Sequence, residues 1–225
     1  MSFWDGRAKT LEEQVLLPIE NPLEFDHSVA EVLKSLRESP AWRRDFDRAF
    51  PGGGLSAQTL ARALAAFVRS LVLADSPVDR FHRGHSAALT AVEKRGLWLF
   101  ESKGQCWQCH SGFNFSDESF HNTGIAWRQP KKDPGRGGVT RKKEEMRSFK
   151  TPTLRGLVRT APYMHDGSLA TLEAVVDYYD QGGEAADPLQ DPRIRPLRLT
   201  REDKAALVAL LKALARSGFD SSRGD

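Results

Sequence analysis

Cysteine is almost absent: the 225 residues hold two, Cys106 and Cys109. A structural zinc site closes on four ligands, usually from two Cys pairs, so that reading is excluded. Long apolar runs are missing too. No stretch reaches the roughly 18–20 apolar residues that a membrane-spanning helix needs. The N-terminus, Met1-Ser2-Phe3-Trp4-Asp5-Gly6-Arg7, has no apolar h-region and does not read as a signal peptide. Charge of one sign is scarce: the net charge of +3 is too mild to argue for nucleic-acid binding. There is no internal repeat, and no βαβ pattern of the kind that accompanies a thioredoxin-like Cys-x-x-Cys. With 40% apolar and 28% charged residues the composition is that of an ordinary globular protein, long enough for one large or two small domains.

Against those absences stands Cys106-Trp107-Gln108-Cys109-His110. Cys-x-x-Cys-His is the attachment signature of c-type haem. Two intervening residues put the sulfurs at the spacing of the haem vinyl groups, to which both can form thioethers. The adjacent His110 then turns an imidazole nitrogen to the iron as proximal ligand. With both thiols committed to one covalent haem, no disulfide is expected. Haem of this type is normally attached outside the cytoplasm, which makes a periplasmic location the expectation. A fragment, a misplaced start or lost export information would each reconcile that with the missing leader.

The chain reads as all-α. Thr10-Leu11-Glu12-Glu13 and Thr90-Ala91-Val92-Glu93 fit the capping box, and Thr200-Arg201-Glu202-Asp203 is a weaker version. Helices are expected over residues 10–17, 28–37, 40–49, 56–73, 88–102, 171–180 and 200–216. Apolar residues recur at helical spacing in Leu60, Leu64, Phe67, Val68 and Leu71, and in Leu207, Leu210, Leu211 and Leu214. Residues 74–84 read as a linker, and residues 111–160 as a long loop that would wrap the cofactor. In that loop Lys131, Lys132, Arg136, Arg141, Lys142, Lys143, Arg147 and Lys150 form a basic run, read first as a solvated mobile loop. Aromatic interleaving is sparse, which weakens a nucleic-acid reading.

Several separated blocks stand out along the chain. They are Phe3-Trp4-Asp5-Gly6-Arg7-Ala8, then Glu13-Gln14, Pro18 and Asn21-Pro22-Leu23-Glu24. Phe120-His121-Asn122-Thr123-Gly124 and Phe149-Lys150-Thr151-Pro152-Thr153-Leu154-Arg155 follow. The most distinctive is Thr160-Ala161-Pro162-Tyr163-Met164-His165-Asp166-Gly167-Ser168, with Ala170-Thr171-Leu172-Glu173 after it. Together these blocks resemble the bacterial di-haem cytochrome c peroxidase and MauG family, and the likeness runs through nearly the whole chain in the right order. It implies a class I cytochrome c-like haem domain over residues 81–225, preceded over residues 1–80 by the helical remainder of a second cytochrome c-like domain. Family members carry two haems, the first motif lying upstream of the Phe-Trp-Asp-Gly-Arg block. The chain therefore resembles a member lacking its first haem segment, with a second haem c expected in full-length relatives.

In the family the N-terminal haem meets peroxide and the C-terminal haem handles electrons. The resemblance assigns Cys106, Cys109 and His110 to the electron-handling haem. Trp4 matches a tryptophan lying between the haems, Glu24 the distal carboxylate that moves a proton between peroxide oxygens, and Gln14 and Pro18 neighbours of that pocket. For the sixth iron ligand two candidates stand. By chemistry alone Met164 is attractive, a neutral thioether that raises the potential. The family position, on the helix after the Pro-Tyr-Met-His-Asp-Gly loop, falls on Tyr179, whose anionic phenolate stabilises oxidised iron; Tyr179 is favoured. Thr160 and Pro162 match residues whose backbone carbonyls help hold calcium. The family's Asn ligand lies upstream, so calcium affinity is expected to be reduced or absent. His27, His82 and His85 read as solvent-facing, and His121 and His165 as structural residues near a haem edge. The implied function is a haem c oxidoreductase reducing hydrogen peroxide, with a small redox protein as electron donor and a homodimer left open. The alternatives are a mono-haem electron-transfer module without peroxidase activity and a degenerate chain that folds poorly.

Overall fold

The computed structural model describes residues 1–129, 131–216 and the backbone of residues 218–219. Helices dominate, with little sheet. The chain divides into two compact units, residues 1–72 and the part from Leu73 onward.

The first unit holds α1 (Leu11–Gln14), α2 (Leu17–Glu20), α3 (Val29–Glu38), α4 (Pro40–Ala49) and α5 (Ala57–Ser70). The single helix expected over 10–17 is two one-turn helices. Pro18 lies in the first turn of α2, where its missing N–H costs nothing. The Thr10 hydroxyl accepts the Glu13 N–H at 3.1 Å, but the Glu13 carboxylate takes the Lys9 N–H instead of that of Thr10, so half of the capping box forms. Ser28 with Glu31 builds a full box at α3. Leu33, Phe46 and Leu60 are the buried core of this unit, with Val29, Leu36 and Leu64 packed around them. The α5 stripe runs out of that core: Phe67 is 62% and Leu71 45% exposed.

The second unit runs β1 (Leu73–Ala74), α6 (Pro77–His82), α7 (Ala91–Glu101), β2 (Phe120–His121), α8 (Arg136–Thr140), β3 (Phe149–Lys150), α9 (Leu172–Asp180), α10 (Arg201–Ala215) and β4 (Gly218–Phe219). β1 pairs antiparallel with β4, and β2 with β3, His121 opposite Phe149. The stretch expected as a linker contains α6, capped by a Ser76–Asp79 box, with Ser76 and Val78 wholly buried. α7 and α10 start on full capping boxes at Thr90 and Thr200 and pack on each other. Gly96 permits this crossing: a Cβ there would lie 2.2 Å from the Ala206 carbonyl oxygen. Leu207, Leu210, Leu211 and Leu214 are all buried, with Leu97, Leu99, Phe100, Leu172 and Val176.

The basic run over residues 131–150 is solvated in part: Lys131, Lys132, Arg141, Lys142 and Lys143 are exposed, but the run is tied down at other points. Arg147 is buried and grips Asp187 with two guanidinium nitrogens, at 2.7 and 2.5 Å. Asn122 donates to the same carboxylate at 2.9 Å. Arg136 pairs with Glu145, Lys150 with Glu118, and Lys132 stacks over Trp127. A segment poor in apolar periodicity is thus held by polar contacts that reach distant parts of the chain.

Candidate functional site

α7 ends at Glu101, and a tight turn delivers the Cys-x-x-Cys-His segment. Gly104 donates its N–H to the Leu99 carbonyl at 2.7 Å, and a Cβ on Gly104 would sit 2.8 Å from that oxygen. Gln105 takes a left-handed conformation (φ 52°), and Cys106–Gln108 form a 3-10 turn. His110 N–H closes the turn on the Cys106 carbonyl at 2.9 Å, and Asp117 N–H bonds the Cys109 carbonyl at 2.8 Å. Both thiols are free and half-buried.

His110 Nδ1 lies 2.9 Å from the Phe115 carbonyl oxygen. A carbonyl accepts, so Nδ1 carries the proton and Nε2 keeps its lone pair, the state of a metal-ligating imidazole. Burial holds His110 below its ordinary pKa, which favours the same neutral form. The acceptor is fixed from three sides. Arg155 donates to the Phe113 carbonyl at 2.7 Å, Thr153 to that of Asn114 at 2.6 Å, and Ser116 to that of Thr151 at 2.7 Å. Arg155 is itself buried and bidentate on Asp79 of α6, both contacts 2.8 Å. Burial works to raise the Asp79 carboxyl, and the Arg155 and Ser76 hydrogen bonds outweigh it, leaving Asp79 well below the usual range. His110, Asp79, Arg155 and Trp107 also line a cavity of about 590 Å³.

On α9, burial pushes the Tyr179 hydroxyl up, and neighbouring Tyr178, Cys109 and Cys106 add to that in this order. Tyr179 as a whole residue is half-buried. Tyr178 meets it edge-on with ring centres 5.7 Å apart and donates its hydroxyl to the Thr123 carbonyl at 2.8 Å. Met164 is half-buried, in a left-handed turn (φ 71°). Burial pushes the Cys106 thiol up to about 12. Two free thiols at this spacing, one imidazole with its outer nitrogen committed, and a buried phenol nearby form a donor set that fits a covalently attached haem.

The remaining candidates lie as follows. Trp4, Gln14 and Glu24 belong to the first unit. Trp4 and Glu24 are exposed and Gln14 is half-buried, and Asn21 donates to the Glu24 carboxylate at 2.7 Å. Thr160 and Pro162 are exposed. His27, His82 and His85 are exposed as expected, while His165 is buried and stacked on Phe149 with centroids 3.6 Å apart.

One cluster was not legible in the sequence. His121 Nε2 is 2.8 Å from Asp117 and Nδ1 is 3.0 Å from Asp191, so an imidazolium donates to both carboxylates. Arg193 donates to both oxygens of Asp191 from the far side, Nε to Oδ1 at 2.9 Å and Nη2 to Oδ2 at 2.5 Å. Cys109 Sγ, an Asp117 oxygen and a His121 nitrogen all lie within 4.8 Å of one another. The neighbouring Cys109 sulfur, opposed by burial and helped by Asp117, raises His121 to about 9. The Phe-His-Asn-Thr-Gly block was the one signal available; Asp191, 70 residues on, carried none.

The family described as di-haem cytochrome c peroxidase matches residues 1–87. Over 217 residues the chain is 40% identical to the methylamine utilization protein MauG of Methylorubrum extorquens, covering 94% of this chain and 60% of that one. It is 38% identical over 179 residues to cytochrome c551 peroxidase of Nitrosomonas europaea, covering 78% and 53%. A solved MauG-like protein associated with microbial copper homeostasis superposes with a TM-score of 0.83 at 33% identity, covering 94% of this chain and 72% of that one. The chain belongs to the di-haem cytochrome c peroxidase and MauG family. It spans about 60% of the length of the curated MauG relative. This places the Cys106–His110 segment and its surroundings in a family of haem proteins.

Proposed function

We propose that the chain is a haem c oxidoreductase in which electrons pass through a His110-ligated haem to support hydrogen peroxide reduction. The observation that carries this is the His110–Phe115 hydrogen bond, which puts the imidazole proton on Nδ1 in a Cys-x-x-Cys-His segment whose two thiols form no disulfide, in a chain of this family. Residues 81–225 are read as a class I cytochrome c-like domain and residues 1–80 as the remainder of a second. Cys106 and Cys109 attach the haem by thioethers, and His110 Nε2 is the proximal ligand. When bound, the haem supplies an iron that takes in and holds electrons.

Tyr179 is the sixth ligand in this reading. The family position falls on it, and both thiols act electrostatically on its hydroxyl, whereas support for Met164 rests on thioether chemistry alone. Trp4 relays electrons towards the peroxidatic centre. Glu24 moves a proton from one peroxide oxygen to the other, and Gln14 lines that pocket with it. A small redox protein supplies the electrons, and the setting is the periplasm. Thr160 and Pro162 offer backbone carbonyls to calcium, weakly. Assembly as a homodimer is compatible with this reading.

A second reading, a mono-haem electron-transfer module, is favoured by two facts: the sequence holds one attachment motif, and Glu24 is exposed. Peroxide turnover with a reduced small cytochrome as donor separates the two. Under the enzyme reading Glu24→Gln lowers turnover by about 100-fold or more, the range of a proton-transfer group. Equal rates in both proteins, or no turnover in the parent, contradict it. Tyr179→Phe is expected to change the absorption spectrum of the oxidised haem; a change found only in Met164→Leu would reassign the ligand.

A further inference from the structure

The two thiols differ in what surrounds them. Among the described residues, Cys106 Sγ hydrogen-bonds within its own turn, donating to Gly104 O at 3.4 Å. Cys109 Sγ lies within 4.8 Å of a His121 ring nitrogen and an Asp117 oxygen. That ring is 15% exposed and clamped between two carboxylates from separate parts of the chain. The clamp is rigid at each end. Asp117 moves with Cys109, because its N–H bonds the Cys109 carbonyl, while Asp191 is tied by its N–H to the Asn122 carbonyl at 2.9 Å. β2–β3 pairing fixes the His121 backbone.

We propose that His121 is a positioning residue for haem attachment: clamped by Asp117 and Asp191, it holds the Cys109 thiol in the orientation from which it adds to a vinyl group. This rests on the haem c reading above. In the step served, the Cys109 S–H bond breaks and an S–C bond forms to the inner vinyl carbon. The vinyl double bond is consumed and the proton ends on the outer carbon. No electron is gained or lost and no atom leaves. Cys106 has no such neighbour in the observed contacts, so the effect of losing the ring is confined to one of the two bonds.

The full chain, matured in a host that attaches c-type haem, is denatured, alkylated and mapped by mass spectrometry. The parent should show both cysteines blocked by one haem. In His121→Phe, alkylation at Cys109 is expected to rise about tenfold while Cys106 stays blocked, since small misplacements of a reacting group are that costly. Asp191→Asn keeps the ring but loosens it, and should give a smaller rise at Cys109. It serves equally if the phenylalanine variant does not accumulate. Cys109 blocked as in the parent in both variants overturns the proposal. So do Cys106 and Cys109 freed together, which is the mark of a merely structural role. A parent with both thiols free instead sinks the haem c reading itself.

Discussion

The two units make a comparison within one chain. The first has a core cluster of Leu33, Phe46 and Leu60, with only the small apolar side chains of Ala8, Ala61 and Ala65 buried besides, and leaves Leu23 92%, Phe25 73% and Phe67 62% exposed. The second buries a continuous cluster on α7, α9 and α10, with Leu99, Leu210 and Leu214 at 1% exposure or less, and adds the ion pairs Arg155–Asp79 and Arg147–Asp187. A small core buries a small fraction of its surface and stabilises weakly. The difference follows the chemistry. In the proposed haem reading the Cys106–His110 segment needs its atoms closely placed, and it sits where packing and buried charge over-determine the backbone. Trp4 and Glu24 sit in the loosely packed unit.

The strongest way to break this comparison is to remove one half of a buried pair in the second unit. Arg147→Met leaves the Asp187 carboxylate, wholly buried, without its cation, and should cost about 3–5 kcal/mol of stability in urea unfolding. A loss close to that of a surface substitution would show that these pairs do not hold the long segment.

Next in size is a matched pair of cavity mutants. Leu214→Ala, at a wholly buried position, should cost about 3 kcal/mol, and Leu33→Ala, in the small core, about 2. Hydrogen exchange resolved by peptide gives each unit its own readout, and amides of the first unit should exchange faster in the parent. Equal protection of both units would erase the contrast.

The smallest effect is on acid stability. Arg193 holds the Asp191 carboxyl down to about 2, and Arg95 does the same for Asp203, against an ordinary 3.8. A depressed folded pKa gives stability that is complete above the unfolded value. It is lost as pH falls from about 3.8 towards 2. Unfolding midpoints of the second unit should drop across that window, and Asp203→Asn should flatten the drop. A pH-independent midpoint there contradicts the ion-pair assignment.

What the sequence disclosed was local. Capping boxes at Thr90 and Thr200 marked helix starts, the leucines of α10 marked a buried stripe, and Cys-x-x-Cys-His marked the site. What it hid was long-range. Asp79–Arg155, Arg147–Asp187 and His121–Asp191 join residues 76, 40 and 70 positions apart, and such pairs leave no periodic trace. For that reason the segment over 111–160 looked like an open loop and the one over 74–84 like a linker. The α5 stripe shows the converse: Phe67 and Leu71 continue a helical pattern that the first unit does not bury.

The most direct measurement is the intact mass and visible spectrum of the chain after expression in a host that attaches c-type haem. One haem added per chain, with Cys106 and Cys109 both resistant to alkylation, is the expected result. A colourless protein of unmodified mass with two reactive thiols would contradict it.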